Sequence, residues 1–215
     1  MEITRTANAG VLLKLDGVSI LLDGVCREVK PYPATPTDIR EALAATHLDV
    51  LAFTHGHKDH FDPVFAADYQ RRTNGVILGP SDLPQCLTSQ EPLRIKNVSL
   101  TPIPSRHIGA AGKNVAHISY LIQGSQCVWF LGDSSPFVWK DREDLPSPDV
   151  LIVPYAYATT RAGWELTKKL SPKTVVLLHL PLREKDTLGL WSAVEETTRG
   201  VEDLWIPGMG QTVDL

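Results

Sequence analysis

Short runs in which apolar and polar residues alternate open the chain, and this two-residue period is typical of half-buried β-strands. The pattern predicts strands over residues 3–6, 11–15 and 18–22. Asp16 and Gly17 separate the last two runs, and this dipeptide favours a two-residue hairpin turn. The chain is therefore expected to begin with antiparallel sheet.

Strand and helix patterns alternate after a loop that is marked by Pro31, Pro33 and Pro36. The predicted elements are a helix over 38–45 capped by Thr37, a strand over 50–53, a helix over 63–72, a strand over 76–78 and a helical turn over 81–87. This alternation is typical of a partly parallel sheet with helices packed on it.

A second series repeats the same order of hairpins and then strand–helix units. Strands are predicted over 94–103, 115–122, 127–131, 150–153, 174–178 and around Trp205 and Ile206, with helices over 160–170 and 188–198. Two mixed β-sheets with outer helices satisfy this order, because both faces of each sheet are then covered. We expect an α/β (α+β) fold, a four-layer αββα sandwich, built as one domain over residues 1–215.

Composition and charge restrict the class of protein. The chain is 43% hydrophobic and 21% charged, which is typical of a folded globular protein. Its net charge of −4 and the absence of any basic run beyond Arg71-Arg72 argue against a nucleic-acid partner. No apolar run approaches the roughly 20 residues of a membrane span, and the start shows no secretory signal. We expect a cytoplasmic protein without a membrane partner, with Cys26, Cys86 and Cys127 reduced.

The strongest chemical signal directly follows the predicted strand at 50–53. His55, His57, Asp59 and His60 place three imidazoles and a carboxylate within six residues at the end of a strand, where α/β folds hold ligands. Imidazole and carboxylate are ligands for zinc, manganese or iron. The spacing lets His55 and His57 face one cation while Asp59 and His60 face another.

Further candidates follow other predicted strands. His107, Asp133 and His179 each come shortly after an apolar run. Taken singly, such residues are more often buried histidines or turn residues than ligands. His47 and His117 match no motif and are predicted to be structural or surface residues.

Taken in order, these motifs resemble those of the metallo-β-lactamase superfamily. They are Asp23-Gly24, the His-x-His-x-Asp-His loop at 55–60, the lone His107, Gly132-Asp133 and the late His179, and the ending at 207–210 is similar to the closing turn of many members. The resemblance implies an αββα sandwich with metals at one edge between the sheets. In size and loop spacing, the chain is similar to the small ascorbate-lactonase-like branch of metal-dependent hydrolases.

The resemblance also implies a ligand set. It assigns His55, His57 and His107 to the first metal, Asp59, His60 and His179 to the second, and Asp133 to both. Asp23 would steady the histidine loop by hydrogen bonds, although a turn role explains it almost as well.

This ligand set implies a hydrolase that uses two divalent ions, with zinc foremost and manganese or iron as alternatives. Two cations about 3.5–4 Å apart would hold a water between them as hydroxide near neutral pH, and Asp59 would orient it as the catalytic carboxylate. The expected substrate is a small ester, lactone, thioester or phosphodiester. A carboxylate at position 133, where many true β-lactamases carry cysteine, points away from antibiotic hydrolysis.

The substrate pocket is predicted to come from loops 108–114, 134–144 and 155–163 at the same edge. They supply four candidate contacts, which are Trp139, Tyr155, Tyr157 and Arg161. Aromatic walls and one positive charge fit a modest organic molecule with an anionic group. Arg106 beside His107 is another candidate contact for an anion.

Three other interpretations remain open. The same fold could house a mononuclear iron dioxygenase acting on sulfur compounds, which metal identity and oxygen consumption would reveal. A nuclease is disfavoured by the acidic charge. A metal-holding regulatory protein without turnover is also compatible with an intact ligand set. The oligomeric state is left open.

Overall fold

The computed structural model describes residues 1–89 and 91–215. Within them, thirteen strands form: β1 (Glu2–Arg5), β2 (Val11–Leu15), β3 (Val18–Leu22), β4 (Val50–Ala52), β5 (Val76–Leu78), β6 (Leu93–Ile95), β7 (Val98–Arg106), β8 (Ala116–Gln123), β9 (Cys127–Phe130), β10 (Val150–Pro154), β11 (Thr174–Leu178), β12 (Leu204–Trp205) and β13 (Thr212–Asp214). The helices are α1 (Thr37–Ala45), α2 (Pro63–Thr73), α3 (Ala156–Thr159), α4 (Arg161–Leu170) and α5 (Leu190–Thr197).

The strands form two mixed sheets. The first has the order β13-β1-β2-β3-β4-β5, and the second has the order β12-β11-β10-β9-β8-β7-β6. In each sheet, antiparallel strands lead into parallel ones: β3, β4 and β5 are parallel neighbours, as are β9, β10, β11 and β12. Because the parallel strands end on the same side of their sheet, the loops that follow them meet at one edge.

Three apolar clusters separate four layers. The central one holds side chains of both sheets, among them Leu13, Ile20, Leu100, Phe130 and Val176. A second lies between the first sheet and helices α1 and α2, and a third lies between the other sheet and helices α3 to α5. The predicted αββα arrangement is therefore confirmed.

In each half of the chain, an aspartate precedes one strand and accepts a hydrogen bond from the parallel strand beside it. Asp49 precedes β4 and accepts a hydrogen bond of 2.8 Å from the Ser19 amide, at the start of β3. Asp149 precedes β10 and accepts one of 2.8 Å from the Cys127 amide, at the start of β9. Both are followed by Val-Leu in the sequence, so the two halves share this hydrogen bond as well as the order of their elements.

Several predicted elements differ from the structure. Residues 81–87 form turns rather than a helix, and the predicted strand at 94–103 is divided by a turn at Lys96, whose φ is +51°. Strand β13 was not predicted; it pairs with β1 at the edge of the first sheet. Thr37 is the first helical residue of α1 rather than a side-chain cap. Cys26, Cys86 and Cys127 are all free.

Candidate metal centre

The candidate ligands follow the ends of four different strands. The loop at 54–60 follows β4, His107 follows β7, Asp133 follows β9 and His179 follows β11. The structure brings them all to one edge of the sandwich, between the sheets. All except His57, which is exposed, are buried.

Asp133 lies at the centre of this cluster. Its Oδ2 atom is 3.4 Å from His60 Nε2, 3.5 Å from His107 Nε2 and 3.4 Å from His179 Nε2. The Asp59 carboxylate joins from one side, with Oδ2 at 3.3 Å from His179 Nε2. Three imidazole nitrogens thus converge on one carboxylate oxygen.

Three groups of side chains could hold a metal ion; one of them joins Asp23, His55 and His60, and the other two contain the predicted ligands. In the first of these two, His55, His57 and His107 each offer a nitrogen, and in the second Asp59, His60 and His179 offer an oxygen and two nitrogens. Within each group these atoms lie within 4.8 Å of one another. Asp133 stands between the groups, since it contacts members of both.

Hydrogen bonds behind the cluster orient the imidazole rings. Thr54 Oγ1 lies 2.9 Å from His55 Nδ1, and the Ile108 carbonyl lies 2.7 Å from His107 Nδ1. Asp23 Oδ2 lies 2.8 Å from His60 Nδ1. Because these partners occupy Nδ1, each ring presents Nε2 to the centre, which is the usual arrangement behind metal-bound histidines.

Asp23 also fixes the start of the histidine loop. Its carboxylate accepts hydrogen bonds from the Thr54 amide at 2.7 Å and from the Thr54 hydroxyl at 2.6 Å, in addition to His60. The residue is fully buried and has a φ of +46°, a left-handed conformation that aspartate tolerates in turns. Its three hydrogen bonds all reach the histidine loop, and the supporting role of Asp23 stays a prediction.

The charges of the cluster are strongly coupled. Burial raises the pKa of Asp133, but the imidazoles of His179 and His60 outweigh burial and hold that pKa well below its usual value. Conversely, burial lowers the pKa of His179, but the Asp133 and Asp59 carboxylates raise it to about 9. The carboxylates therefore stabilise positive charge at the centre of the site.

Buried atoms without a hydrogen bond test whether metal ions fit here. Among the described residues, His60 Nε2, His107 Nε2, His179 Nε2 and Asp133 Oδ1 are buried and have no hydrogen-bond partner. Leaving such groups unpaired is costly, whereas cations would satisfy all of them at once. The donor set of imidazole and carboxylate fits divalent zinc, manganese or iron.

His117 is a neighbour of the centre that sequence reasoning missed. It is buried, its ring stacks on His55 with centroids 5.2 Å apart, and its Nδ1 shares a 2.7 Å hydrogen bond with Ser105 Oγ. Burial lowers its pKa to about 3, so the ring is neutral. The surface placement considered for His117 is wrong, whereas His47 is exposed. The available sequence signal was a histidine within a mostly apolar strand.

Two of the four predicted substrate contacts lie in the core. Trp139 and Tyr157 are each 1% exposed, and both bond Ser134: Trp139 Nε1 donates to Oγ at 2.8 Å and the Tyr157 hydroxyl donates to the carbonyl at 2.9 Å. They support the loop of Asp133 from behind, so the prediction that they contact a substrate at the cluster is wrong. Their large apolar rings are covered by the helical layer instead of facing solvent.

Arg161 also lies away from the expected pocket. Its side chain is 91% exposed and pairs with Glu165, one turn further along α4. Tyr155 is half-buried, and its ring centroid lies 6.3 Å from that of His179. Sequence reasoning missed Tyr32, whose ring meets His179 edge-on at 4.5 Å.

Arg106 lines an open groove beside His107. Ile108, Ser135, Pro136 and Phe137 form its walls, and Phe137 is 58% exposed. The groove is connected to the cluster through the main chain, because the Ser135 amide donates to the Arg106 carbonyl and the Ile108 amide donates to the Asp133 carbonyl. Two of the loops predicted to form the pocket, 108–114 and 134–144, therefore border the site. The residues that they place there are not the ones predicted to contact the substrate.

The fold and the cluster together describe an αββα sandwich with side chains at one edge that can hold metal ions. The family model of the beta-lactamase superfamily domain matches residues 2–179. The chain belongs to this superfamily. Within the described residues, no helix is both long and apolar enough to cross a membrane.

Known proteins with similar sequences or structures agree with this assignment. The chain is 23% identical over 183 residues to the UPF0173 metal-dependent hydrolase of Polaromonas sp., a match that covers 70% of this chain and 67% of that one. Its fold is similar to Igni18, a metallo hydrolase from Ignicoccus hospitalis, with a TM-score of 0.68, 20% identity and 99% and 97% coverage. It is also similar to an isothiocyanate hydrolase from Delia radicum gut bacteria, with a TM-score of 0.71, 16% identity and 100% and 99% coverage.

Proposed function

We propose that this protein is a metal-dependent hydrolase that holds two divalent cations, zinc foremost, at the edge cluster. The observation that carries the proposal is the convergence of three buried Nε2 atoms without hydrogen bonds on Asp133 Oδ2. A core without metal would gain nothing from such a group, because unpaired buried polar atoms destabilise a fold. The relatives named above are hydrolases, which supports the same class of reaction.

Each ligand group has a distinct place in the proposal. His55, His57 and His107 would hold the first cation, and Asp59, His60 and His179 would hold the second. Asp133 would contact both. When bound, such a pair supplies an activated water near neutral pH and a Lewis acid for the substrate oxygen.

The chain's own residues then orient the reaction. Asp59 belongs to the second group, and its carboxylate would accept a hydrogen bond from the attacking water there. Attack forms a bond from the water oxygen to the carbonyl carbon or phosphorus of the substrate, the bond to the leaving group breaks, and the leaving group departs with one proton of that water. The exposed His57 marks the side from which a substrate enters.

The substrate belongs to the small esters, lactones, thioesters or phosphodiesters. The open groove beside Arg106 supports an organic molecule with an anionic group, since it joins apolar walls to one positive charge. Placement in the small lactonase-like branch is part of this proposal, as is a location in the cytoplasm.

Elemental analysis of protein purified without chelator or nickel tests the proposal first. We expect about two zinc or manganese ions per chain, together with hydrolysis of at least one substrate class in a panel of lactones, esters, thioesters and phosphodiesters. One iron per chain with oxygen consumption would favour the dioxygenase interpretation. Absence of metal even after reconstitution would contradict the ligand set.

The Asp59→Asn variant tests the catalytic carboxylate. It should abolish hydrolysis and weaken the second cation while leaving the first one bound, because Asp59 belongs only to the second group. Full activity of this variant would contradict the role assigned to Asp59.

A further inference from the structure

Asn8 is a polar residue whose buried side chain has no hydrogen-bond partner. It lies in the loop between β1 and β2 and is fully buried, and neither its Oδ1 nor its Nδ2 atom bonds another described residue. A buried carboxamide without partners costs stability, so such a group in a folded protein calls for an explanation. The ligand set assigned to the cluster does not include it.

Main-chain hydrogen bonds hold Asn8 against the candidate ligand His179. The Asn8 carbonyl accepts the His179 amide at 3.2 Å and the Arg5 guanidinium at 3.1 Å. The Thr6 amide donates to the Gly10 carbonyl at 3.0 Å and closes the loop. Because these bonds fix the loop, the Asn8 side chain starts from a fixed place beside the His179 backbone.

The ring of His179 lacks the partner that other buried ligand histidines have. His55, His60 and His107 each have a hydrogen-bond partner at Nδ1, at 2.9, 2.8 and 2.7 Å. Among the described residues, His179 Nδ1 has none, although this atom is buried. A histidine that binds a cation through Nε2 carries its proton on Nδ1, and this N–H almost always donates to a partner. His179 therefore needs an acceptor on the Nδ1 side of its ring.

A small cavity adjoins the cluster beside Ala9, the residue that follows Asn8. Its volume is about 10 Å³, and Ala9, Asp133 and His179 line it together with the ends of β9, β10 and β11. This volume is at the lower limit for one water molecule. Asp133 Oδ1 is a second buried atom without a partner among the described residues. A donor on His179 and an acceptor on Asp133 thus belong to residues that line one water-sized cavity.

We propose that this cavity binds one water molecule and that Asn8 holds it, which makes Asn8 a positioning residue for His179 and Asp133. The water accepts a hydrogen bond from His179 Nδ1, donates one to Asp133 Oδ1 and shares a third with the Asn8 carboxamide. Three such bonds are typical of a buried water. A carboxylate oxygen can accept two bonds, so Asp133 Oδ1 stays able to bind a cation. The inference rests on the proposed metal site and deepens it, because it names what keeps these two ligands aimed at the cations.

Asparagine suits this place because its carboxamide can both donate and accept. It can therefore bond the water whichever way the protons of the water point, and it adds no charge beside Asp133. An aspartate at position 8 would instead repel the Asp133 carboxylate. Leucine has nearly the shape of asparagine and no polar atom, so Asn8→Leu removes the proposed bond with little change in volume.

Proton NMR of the cobalt-substituted protein tests the role of Asn8 without an assay of activity. Ring N–H protons of cobalt-bound histidines give strongly shifted signals, which disappear in heavy water as the protons exchange. We expect Asn8→Leu to speed the exchange of one such signal and to leave the others unchanged, because only His179 loses its partner. The affinity for the second cation, measured by zinc titration, should fall about 10-fold.

Asn97→Leu, in the exposed turn before β7, is the matched control and should change neither the spectrum nor the zinc affinity. A spectrum that Asn8→Leu leaves unchanged would overturn the positioning role. A uniform change of all the exchangeable signals would overturn it as well, since it would show a general loosening of the fold.

A crystal structure of the chelator-treated protein separates this inference from the proposed function. If the wild-type protein binds no cation or hydrolyses no substrate, the hydrolase proposal fails, yet the cavity can still be inspected. We expect one ordered water within about 3.2 Å of His179 Nδ1, Asp133 Oδ1 and a polar atom of Asn8, and its loss in Asn8→Leu. A cavity without water, or a water that does not contact Asn8, would overturn the inference even in an active enzyme.

Discussion

The Arg5 guanidinium donates a hydrogen bond of 3.2 Å to the carbonyl oxygen of Leu180, the residue after the candidate ligand His179. Arg5 is 6% exposed and also donates to the carbonyls of Ala7, Asn8 and Pro207. The Asn8 carbonyl in turn accepts the His179 amide at 3.2 Å. His179 has a φ of +65°, a conformation that is unfavourable for a residue with a Cβ atom. Arg5 thus holds the backbone that aims His179.

We predict that Arg5→Lys weakens one cation site more than the other. A single ammonium group cannot reach the four carbonyls that the planar guanidinium bonds, so the His179 backbone would relax. The second cation, which His179 would bind, should lose about 10–100-fold in affinity. Zinc titration against a chromophoric chelator measures both sites. The exposed Lys14, converted to Arg, provides a control, and equal weakening of both sites in Arg5→Lys would contradict a specific action on His179.

Asp23→Ala should reduce both stability and metal affinity. The change leaves the Thr54 amide, the Thr54 hydroxyl and His60 Nδ1 without their acceptor in a fully buried place. We expect a loss of about 3–5 kcal/mol in the free energy of unfolding, measured by urea denaturation. Zinc affinity should fall about 10–100-fold. Asp68→Asn on the exposed face of α2 is the comparison, and a similarly small effect for both would refute the role of Asp23.

His117→Ala and His117→Phe should differ in their effect on the first cation. The alanine variant opens a cavity beside His55, whose ring stacks on His117, and should cost about 2–4 kcal/mol of stability while loosening His55. Phenylalanine keeps an aromatic ring in contact with His55 and should retain most of the metal affinity. The visible spectrum of the cobalt-substituted protein reports the geometry of the first site. Identical spectra for both variants and the wild type would rule out a positioning role.

Arg161→Ala should change neither metal content nor kcat/KM. Its side chain is exposed and, among the residues that the structure describes, bonds only Glu165; such an ion pair on the surface of α4 contributes little. Steady-state kinetics on the first substrate found in the panel provides the measurement. A rise in the KM of Arg161→Ala that is confined to anionic substrates would contradict this prediction and restore Arg161 to the binding site. The variant in which we do expect such a rise is Arg106→Ala.

We predict that Asp149 stabilises the metal-free protein at neutral pH and that this contribution is lost in acid. Hydrogen bonds from Lys173 Nζ and the Cys127 amide lower the pKa of its carboxyl. Its contribution is therefore complete above the unfolded-state value of about 3.9 and is lost as the pH falls through the lower folded-state pKa. Urea denaturation should show Asp149→Asn less stable than wild type at neutral pH, with the gap closing below about pH 4. A gap that is independent of pH would contradict this linkage.

The sequence determined the core of the candidate site because local spacing fixes local geometry. His55, His57, Asp59 and His60 lie within six residues, so the turn after β4 brings them together by covalent geometry alone. The alternation of apolar positions likewise specified the strand and helix order, and with it the two sheets. Elements without a strong pattern, such as β13 and the division between β6 and β7, were not predictable because they depend on pairing partners and on a backbone turn.

Only the tertiary structure decided what surrounds that core. Arg5, Tyr32 and His117 reach the cluster from distant parts of the chain, and no local pattern distinguishes them from ordinary polar or aromatic residues. Trp139 lies in the segment after β9 and Tyr157 in helix α3 after β10, yet the rings of both pack inward, because burial of a large apolar surface outweighs exposure at the edge. Loop position can be inferred from the end of a strand, whereas side-chain direction depends on packing across the layers.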